Sequence, residues 1–273
     1  MTTANPYPII IPRGEPFYLA GNEIAFILVH GFTDSPLEMR PFGEFLNQHG
    51  YTAMGIRVTG HATTIGDLRR SRWQDLLASI EDAYHFLRSN KNIKKIFIIG
   101  HSMGGGLTLV ASSYLPMDGV IALAPAYQLS KSGWLNEWMA AIDVYAGSLK
   151  RKWKSRNLPE RLPGWYWYKP ELSRNYIKYN EKPIICGLQL IRISNQVDDA
   201  IRKISAPVLL MGAVRDTLIP TEKVQMVYDH LKSDDKELVW FEKSSHMLPI
   251  DGERDLVFER TLAFIQRVTK EKA

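Results

Sequence analysis

The feature that most constrains this chain is Gly100-His101-Ser102-Met103-Gly104. It stands between the apolar run Ile96-Phe97-Ile98-Ile99 and the helix-compatible stretch Leu107-Thr108-Leu109-Val110-Ala111. A strand, a very tight turn and a helix place Ser102 at the apex, its hydroxyl projecting from the end of a sheet. Glycines two before and two after the serine leave room for the neighbouring backbone. The pattern is a G-x-S-x-G nucleophile elbow and predicts acyl-serine chemistry. By chance the pattern recurs in about one chain in ten of this length. The surroundings must therefore separate a nucleophile from an ordinary turn serine.

Those surroundings alternate between strands and helices. Tyr7–Ile11 and Phe17–Ala20 read as short strands, and Ile24–Val29 is a continuous apolar run, the mark of a strand buried on both faces. A loop, His30-Gly31-Phe32-Thr33-Asp34-Ser35, leads into a helix expected over Pro36–Gln48. Tyr51–Arg57 is the next strand, and Ser71–Ser89 carries Trp73, Leu76, Leu77, Ile80, Ala83, Tyr84 and Leu87 at helical spacing. After the elbow come strands at Gly119–Leu123, Pro207–Met211 and Glu237–Phe241, then a helix over Glu253–Val268. This order predicts an α/β fold, a mostly parallel central sheet with helices on both faces.

The alternation stops after Ala124-Pro125. Residues 126–197 read as an irregular insertion, a helical cap, within a core domain formed by residues 1–125 and 198–273. Trp134, Trp138, Ile142, Tyr145, Leu149 and Trp153 recur about every four residues, as on an amphipathic helix. Pro159, Pro163, Gly164 and Pro170 then interrupt the chain. Lys131–Arg192 holds twelve Lys/Arg against five Asp/Glu, net +7, so the rest of a chain of net +5 is −2. Five of the seven tryptophans lie in the same segment. In open α/β sheets ligands bind beyond the carboxyl ends of the strands, where Ser102 belongs, so an insertion leaving that edge is expected to act as a lid.

A serine hydroxyl needs a base, normally a histidine oriented by a carboxylate. Chain order provides a test, because on this topology the partners follow as Ser, Asp/Glu, His, each on a loop after a strand. Asp216 follows the strand at 207–211 and His246 follows the strand at 237–241. Asp198, Asp199 and Asp229 follow no strand end, Asp234 and Asp235 precede the last strand, and Asp251 comes after His246. His30 and His61 precede the serine, and His230 ends a helical stretch. The predicted catalytic residues are therefore Ser102, Asp216 and His246. The Met103 amide, at the start of a helix, and the Phe32 amide, after the Ile24–Val29 strand, are the expected oxyanion donors. Phe32, with Trp134, Trp138, Ile142 and Tyr145 of the insertion, is expected to line the acyl pocket.

Other properties narrow the class. Cys186 is the single cysteine, which excludes an internal disulfide and a Cys-based zinc site and fits a reducing compartment. No apolar run reaches membrane-spanning length, and Met1–Pro12 lacks the pattern of a secretory signal. A cytoplasmic location is the resulting expectation. No metal is predicted. Positive charge confined to a segment above a catalytic pocket argues against nucleic-acid binding.

Taken together, His30-Gly31-Phe32-Thr33-Asp34-Ser35, Gly60-His61, Gly100-His101-Ser102-Met103-Gly104-Gly105, Asp216 and Ser245-His246 resemble the α/β-hydrolase superfamily. More narrowly, they resemble the bacterial carboxylesterases and monoacylglycerol lipases. The resemblance covers almost the whole chain and least of all the insertion. It implies a cofactor-free Ser-Asp-His esterase acting on carboxylic esters of small alcohols or glycerol, with a helical cap after the strand that follows the elbow. It also implies a structural or pocket-lining place for Gly60-His61, and His101 is expected to pack beneath the elbow or to hydrogen-bond locally.

Two readings of the insertion stay open. In one, its apolar stripe covers the acyl pocket and its lysines are solvated. In the other, Trp134, Trp138 and Trp153 enter a lipid surface while Lys150, Arg151, Lys152 and Lys154 meet anionic headgroups. Thioesterase, amidase, peptidase and carbon–carbon bond hydrolase activities on this fold are alternatives to ester hydrolysis. From another class, so is a non-catalytic binding protein of this fold.

Overall fold

A computed structural model describes residues 10–129, 167–169, 171–172, 178–179 and 183–270. Seven strands form one sheet: β1 (Phe17–Leu19), β2 (Ile24–Val29), β3 (Thr52–Ile56), β4 (Lys95–His101), β5 (Gly119–Leu123), β6 (Val208–Ala213) and β7 (Lys236–Phe241). Their order is β1-β3-β2-β4-β5-β6-β7. β1 pairs antiparallel with β3, and every other pairing is parallel. The helices are α1 (Arg40–Gln48), α2 (Ile65–Arg70), α3 (Trp73–Ser89), α4 (Met103–Ala111), α5 (Ile184–Ile201), α6 (Thr221–His230) and α7 (Arg254–Lys270). This is the α/β-hydrolase fold, as the alternation predicts.

The strands are apolar throughout because both faces are covered, and alternate side chains serve different layers. Ala25, Ile27, Val29, Ile96, Ile98, Val120 and Leu210 pack with Leu76 and Ile80 of α3, Leu107 of α4 and Ile193 and Val197 of α5. Phe26, Leu28, Phe97, Ile99, Ile121 and Met211 face the other way, onto Phe42 and Leu46 of α1 and Phe258, Phe264 and Ile265 of α7. The chain runs from β2 outward to β3, then returns to β4 on the other side of β2. That reversal opens a crevice beyond the carboxyl ends of β2 and β4, the place where such sheets bind ligands. Both His30-Gly31-Phe32 and the Ser102 elbow lie there.

Three local expectations are corrected. Of the strand expected at Tyr7–Ile11, residues 7–9 lie outside the described residues, and Ile10 and Ile11 are not in a strand. Instead the Ile11 amide donates to the Ala62 carbonyl at 2.8 Å. The helix expected from Pro36 is two pieces, a 3-10 turn at Pro36–Glu38 followed by α1, with Met39 between them. The end of the insertion is regular, not irregular, since α5 runs from Ile184 to Ile201 without a break. One face of α5 is apolar core, and the expected domain boundary at 197/198 falls inside it.

Candidate active site

The elbow follows from steric necessity. Ser102 has φ 52° and ψ −114°, a strained conformation for a residue with a Cβ. Its amide donates to the Leu123 carbonyl at 2.9 Å, and its own carbonyl accepts from Ala126 at 2.9 Å and Gly106 at 3.0 Å. These bonds over-determine the turn. A Cβ on Gly100 would stand 2.2 Å from the Gly104 carbonyl oxygen. One on Gly104 would stand 2.2 Å from the Val29 carbonyl oxygen and 2.6 Å from that of His30. Both flanking glycines are thus required where α4 starts against the end of β2.

Asp216 and His246 arrive from the loops after β6 and β7. His246 Nε2 is 3.0 Å from Ser102 Oγ, and His246 Nδ1 is 2.8 Å from Asp216 Oδ2. An ionised carboxylate only accepts, so Nδ1 carries the proton and Nε2 is left to accept from the serine hydroxyl. Asp216 Oδ1 accepts from the amides of Leu218 at 2.8 Å and Ile219 at 3.0 Å. Burial alone raises the Asp216 pKa, but His246 beside it and the two amides hold it below the ordinary carboxylate value. The Ser245 amide donates to Asp251 Oδ2 at 2.8 Å, and the amides of Tyr168 and Lys169 also donate to that carboxylate. Asp251 therefore braces the His246 loop and ties it to residues 168–169.

The loop after β2 is equally fixed. The Val58 amide donates to His30 Nε2 at 3.2 Å, so the ring proton sits on Nδ1, 2.9 Å from the Gly31 carbonyl. Burial, then the neighbouring His61, push the His30 pKa well below its ordinary value. Burial takes that of His61 down to about 4. Both rings are therefore neutral at neutral pH, and His61 packs against His30 and Phe32. Tyr179, near the end of the insertion, takes the Thr63 amide at 2.7 Å, donates to the Gly60 carbonyl at 3.0 Å and gives its own amide to Thr33.

Ser102 opens into a cavity of about 380 Å³, a size typical of small-ligand sites. Its floor includes Gly31, Phe32, His101, Ser102 and His246, and its wall is largely the first two turns of α5, with Ile184, Leu188 and Ile191. Gly187 lies in this wall, and among the described residues a Cβ there would meet nothing within 4 Å. Phe32 lines the cavity, and the Phe32 amide donates to no described residue. Met103 is the first residue of α4, where the helix itself provides no acceptor for the N–H. Trp134, Trp138, Ile142 and Tyr145, with Leu149, Trp153 and the basic cluster at 150–154, lie outside the described residues.

Sequence reasoning missed the α5 wall, Asp251 as a brace, and Glu38. The Glu38 carboxylate is buried, accepts from the Gly31 amide at 2.7 Å and is paired with His101. A glutamate between Leu37 and Met39, just before an amphipathic helix, was the available signal.

A hydrogen-bonded serine, histidine and aspartate at the strand ends of this sheet define the class, an α/β-hydrolase. A family model described as serine aminopeptidase, S33, matches residues 22–253, and the chain belongs to that family. It is similar to the thermostable monoacylglycerol lipase of Bacillus sp. (strain H-257), 29% identical over 262 residues that cover 96% of this chain and 97% of the relative. It is also similar to a carboxylesterase of Bacillus subtilis (strain 168), 26% identical over 265 residues, 95% of this chain and 98% of the relative. Among solved structures, one described as the metagenome-derived lipolytic enzymes LipS and LipT superposes with a TM-score of 0.79 at 28% identity, covering 95% of this chain and 100% of that one. A monoacylglycerol lipase of Paleococcus ferrophilus shares the fold, with a TM-score of 0.72 at 22% identity over 93% and 98% of the two chains.

Proposed function

We propose that this protein is a carboxylic ester hydrolase that cleaves esters of an extended acyl chain, monoacylglycerols among them, through an acyl-enzyme on Ser102. One observation carries the reading: the Ser102–His246–Asp216 chain of hydrogen bonds opens into a cavity walled mainly by apolar side chains. His246 takes the Ser102 proton as Oγ attacks the ester carbonyl carbon. The resulting oxyanion rests on the amides of Phe32 and Met103, each donor contributing about 3–4 kcal/mol to the transition state. His246 then protonates the departing alcohol oxygen, and the acyl group remains on Oγ. Water, deprotonated by His246, attacks the acyl-enzyme, and collapse of the second intermediate releases the acid and the free serine.

Asp216 holds His246 in the required tautomer and stabilises the imidazolium that forms twice per turnover. The apolar wall favours an acyl chain over the charged amino end that an aminopeptidase must bind. In this reading residues 126–197 belong to a cap over the pocket, supported by the described residues Leu129, Lys178 and Pro183 onward, which line it. Among the described residues no helix is long and apolar enough to cross a membrane. Contact of the basic aromatic stretch with lipid is read by comparing binding to anionic and zwitterionic vesicles.

The direct test is a panel of p-nitrophenyl esters from acetate to palmitate, with monoacylglycerols and an amino-acid p-nitroanilide alongside. Esters are expected to turn over with a preference beyond acetate, and the anilide to lag. Turnover of the anilide alone would reverse the assignment.

A further inference from the structure

His101 sits inside the elbow yet has no part in the proton relay. Its ring is buried, with its centroid 4.9 Å from that of His246. Nδ1 is hydrogen-bonded to Glu38 Oε1, and Nε2 lies 2.8 Å from the His246 carbonyl oxygen. Both partners are acceptors, a carboxylate and a carbonyl. The ring must donate from both nitrogens to satisfy them, which makes it an imidazolium. Burial works against that charge. The Glu38 carboxylate, the His246 carbonyl and Asp216 outweigh burial and set the His101 pKa above its ordinary value. His30 on the β2 loop also faces the ring, and Asp34 borders the same space at Gly31.

The second oxygen of Glu38 completes the link. Oε2 accepts the Gly31 amide at 2.7 Å, one residue before the Phe32 amide proposed as an oxyanion donor. The 3-10 turn at Pro36–Glu38 is what brings this carboxylate beneath the loop after β2. One buried carboxylate thus holds the oxyanion loop directly and the main chain of the general base through His101. We propose that Glu38 and His101 are positioning residues, a buried carboxylate–imidazolium pair that sets the spacing between the Phe32 amide and His246. The role rests on the ester-hydrolase reading. Charge-assisted hydrogen bonds are the strong ones, and a displacement of about 1 Å at a catalytic group costs on the order of a hundredfold in rate.

Two measurements on the full chain test it. The first is nitrogen-15 NMR of the histidine rings in the wild type at about pH 8, above the ordinary histidine pKa. His101 is expected to show both nitrogens protonated; a ring with one protonated nitrogen overturns the pair. The second is steady-state kinetics of Glu38→Ala and Glu38→Gln, referred to folded enzyme by titration with a fluorophosphonate. Glu38→Ala is expected to lower kcat about tenfold to a hundredfold, with KM changed by less than about twofold. Glu38→Gln is expected to restore most of kcat, because its amide oxygen accepts from Gly31 while its NH₂ donates to a neutral His101. A Glu38→Ala enzyme with a lower melting temperature but an unchanged kcat contradicts the positioning role. Should wild-type Ser102 resist the fluorophosphonate, the hydrolase reading fails and the role with it, while the nitrogen signals still report the pair by themselves.

Discussion

The floor and the wall of the cavity are built in opposite ways. The floor is assembled from strand ends: Gly31 and Phe32 after β2, Ser102 after β4 and His246 after β7, the last held from behind by Asp216 after β6. It is densely hydrogen-bonded, tightly packed and strained at Ser102. The wall is largely one helix, α5, whose first turn carries the exposed Ile184 and the half-buried Gly187 and whose far side is core. The contrast teaches a division of labour. A reacting centre needs groups fixed to fractions of an ångström, which a sheet edge provides. A pocket for an acyl chain needs apolar area and room, which a helix face provides with few directional bonds.

The largest expected effect strikes the floor. Ser102→Ala should lower kcat on every ester by at least about 10⁴-fold, and Asp216→Asn by about 10⁴-fold through the wrong His246 tautomer. Thermal melting should show both variants folded. If either variant lost activity on long esters alone, floor and wall would not be separable in this way.

The next effect concerns floor stability. His61 titrates at about 4 in the folded chain against about 6.5 when unfolded. Its folded pKa is the lower one, so the unfolded state binds the proton first as pH falls. Stability therefore drops between about pH 6.5 and 4, by about 3 kcal/mol for this one group, and is flat in this respect below. His30 is shifted in the same direction. His101 has the opposite sign: with a raised folded pKa, its contribution is present below about 6.5 and lost as pH climbs through the folded value. Urea unfolding of the wild type and of His61→Gln across pH 4 to about 7 checks this, and the variant should show the shallower slope. Equal slopes would mean that His61 is protonated in the fold.

The smallest effect belongs to the wall. Gly187→Phe should fill the space that no described atom occupies. Hydrolysis of p-nitrophenyl palmitate relative to acetate is expected to fall about tenfold or more, with kcat on acetate little changed. An unchanged chain-length profile would place the acyl chain elsewhere in the cavity.

The floor was legible in the sequence and the wall was not, for physical reasons. In a parallel sheet every strand ends at the same edge. Chain order and strand ends alone therefore bring Ser102, Asp216 and His246 together from 144 and 30 residues apart. The elbow glycines announce themselves because no other residue fits between β2 and α4. α5 gave a weak signal. Pro183 marks its start, but Gly187, Gln189 and Ser194 interrupt the apolar spacing, and its burial is divided between the core and the cavity. An acidic residue between Leu37 and Met39 marked Glu38 but not its role, which depends on the 3-10 turn that splits the expected helix and on His101, 63 residues away. The acidic residue Asp251, which follows His246, is a brace at the main chain of Ser245, a role that no spacing rule encodes.

In the proposed reaction Ser102 carries the acyl group. Acid quenching of the enzyme during the p-nitrophenyl ester burst, followed by peptide mass spectrometry, tests it most directly. An added acyl mass is expected on the peptide containing Ser102 and is expected to be absent from Ser102→Ala. Steady hydrolysis with no acylated peptide, or an acyl group on another residue, would contradict it.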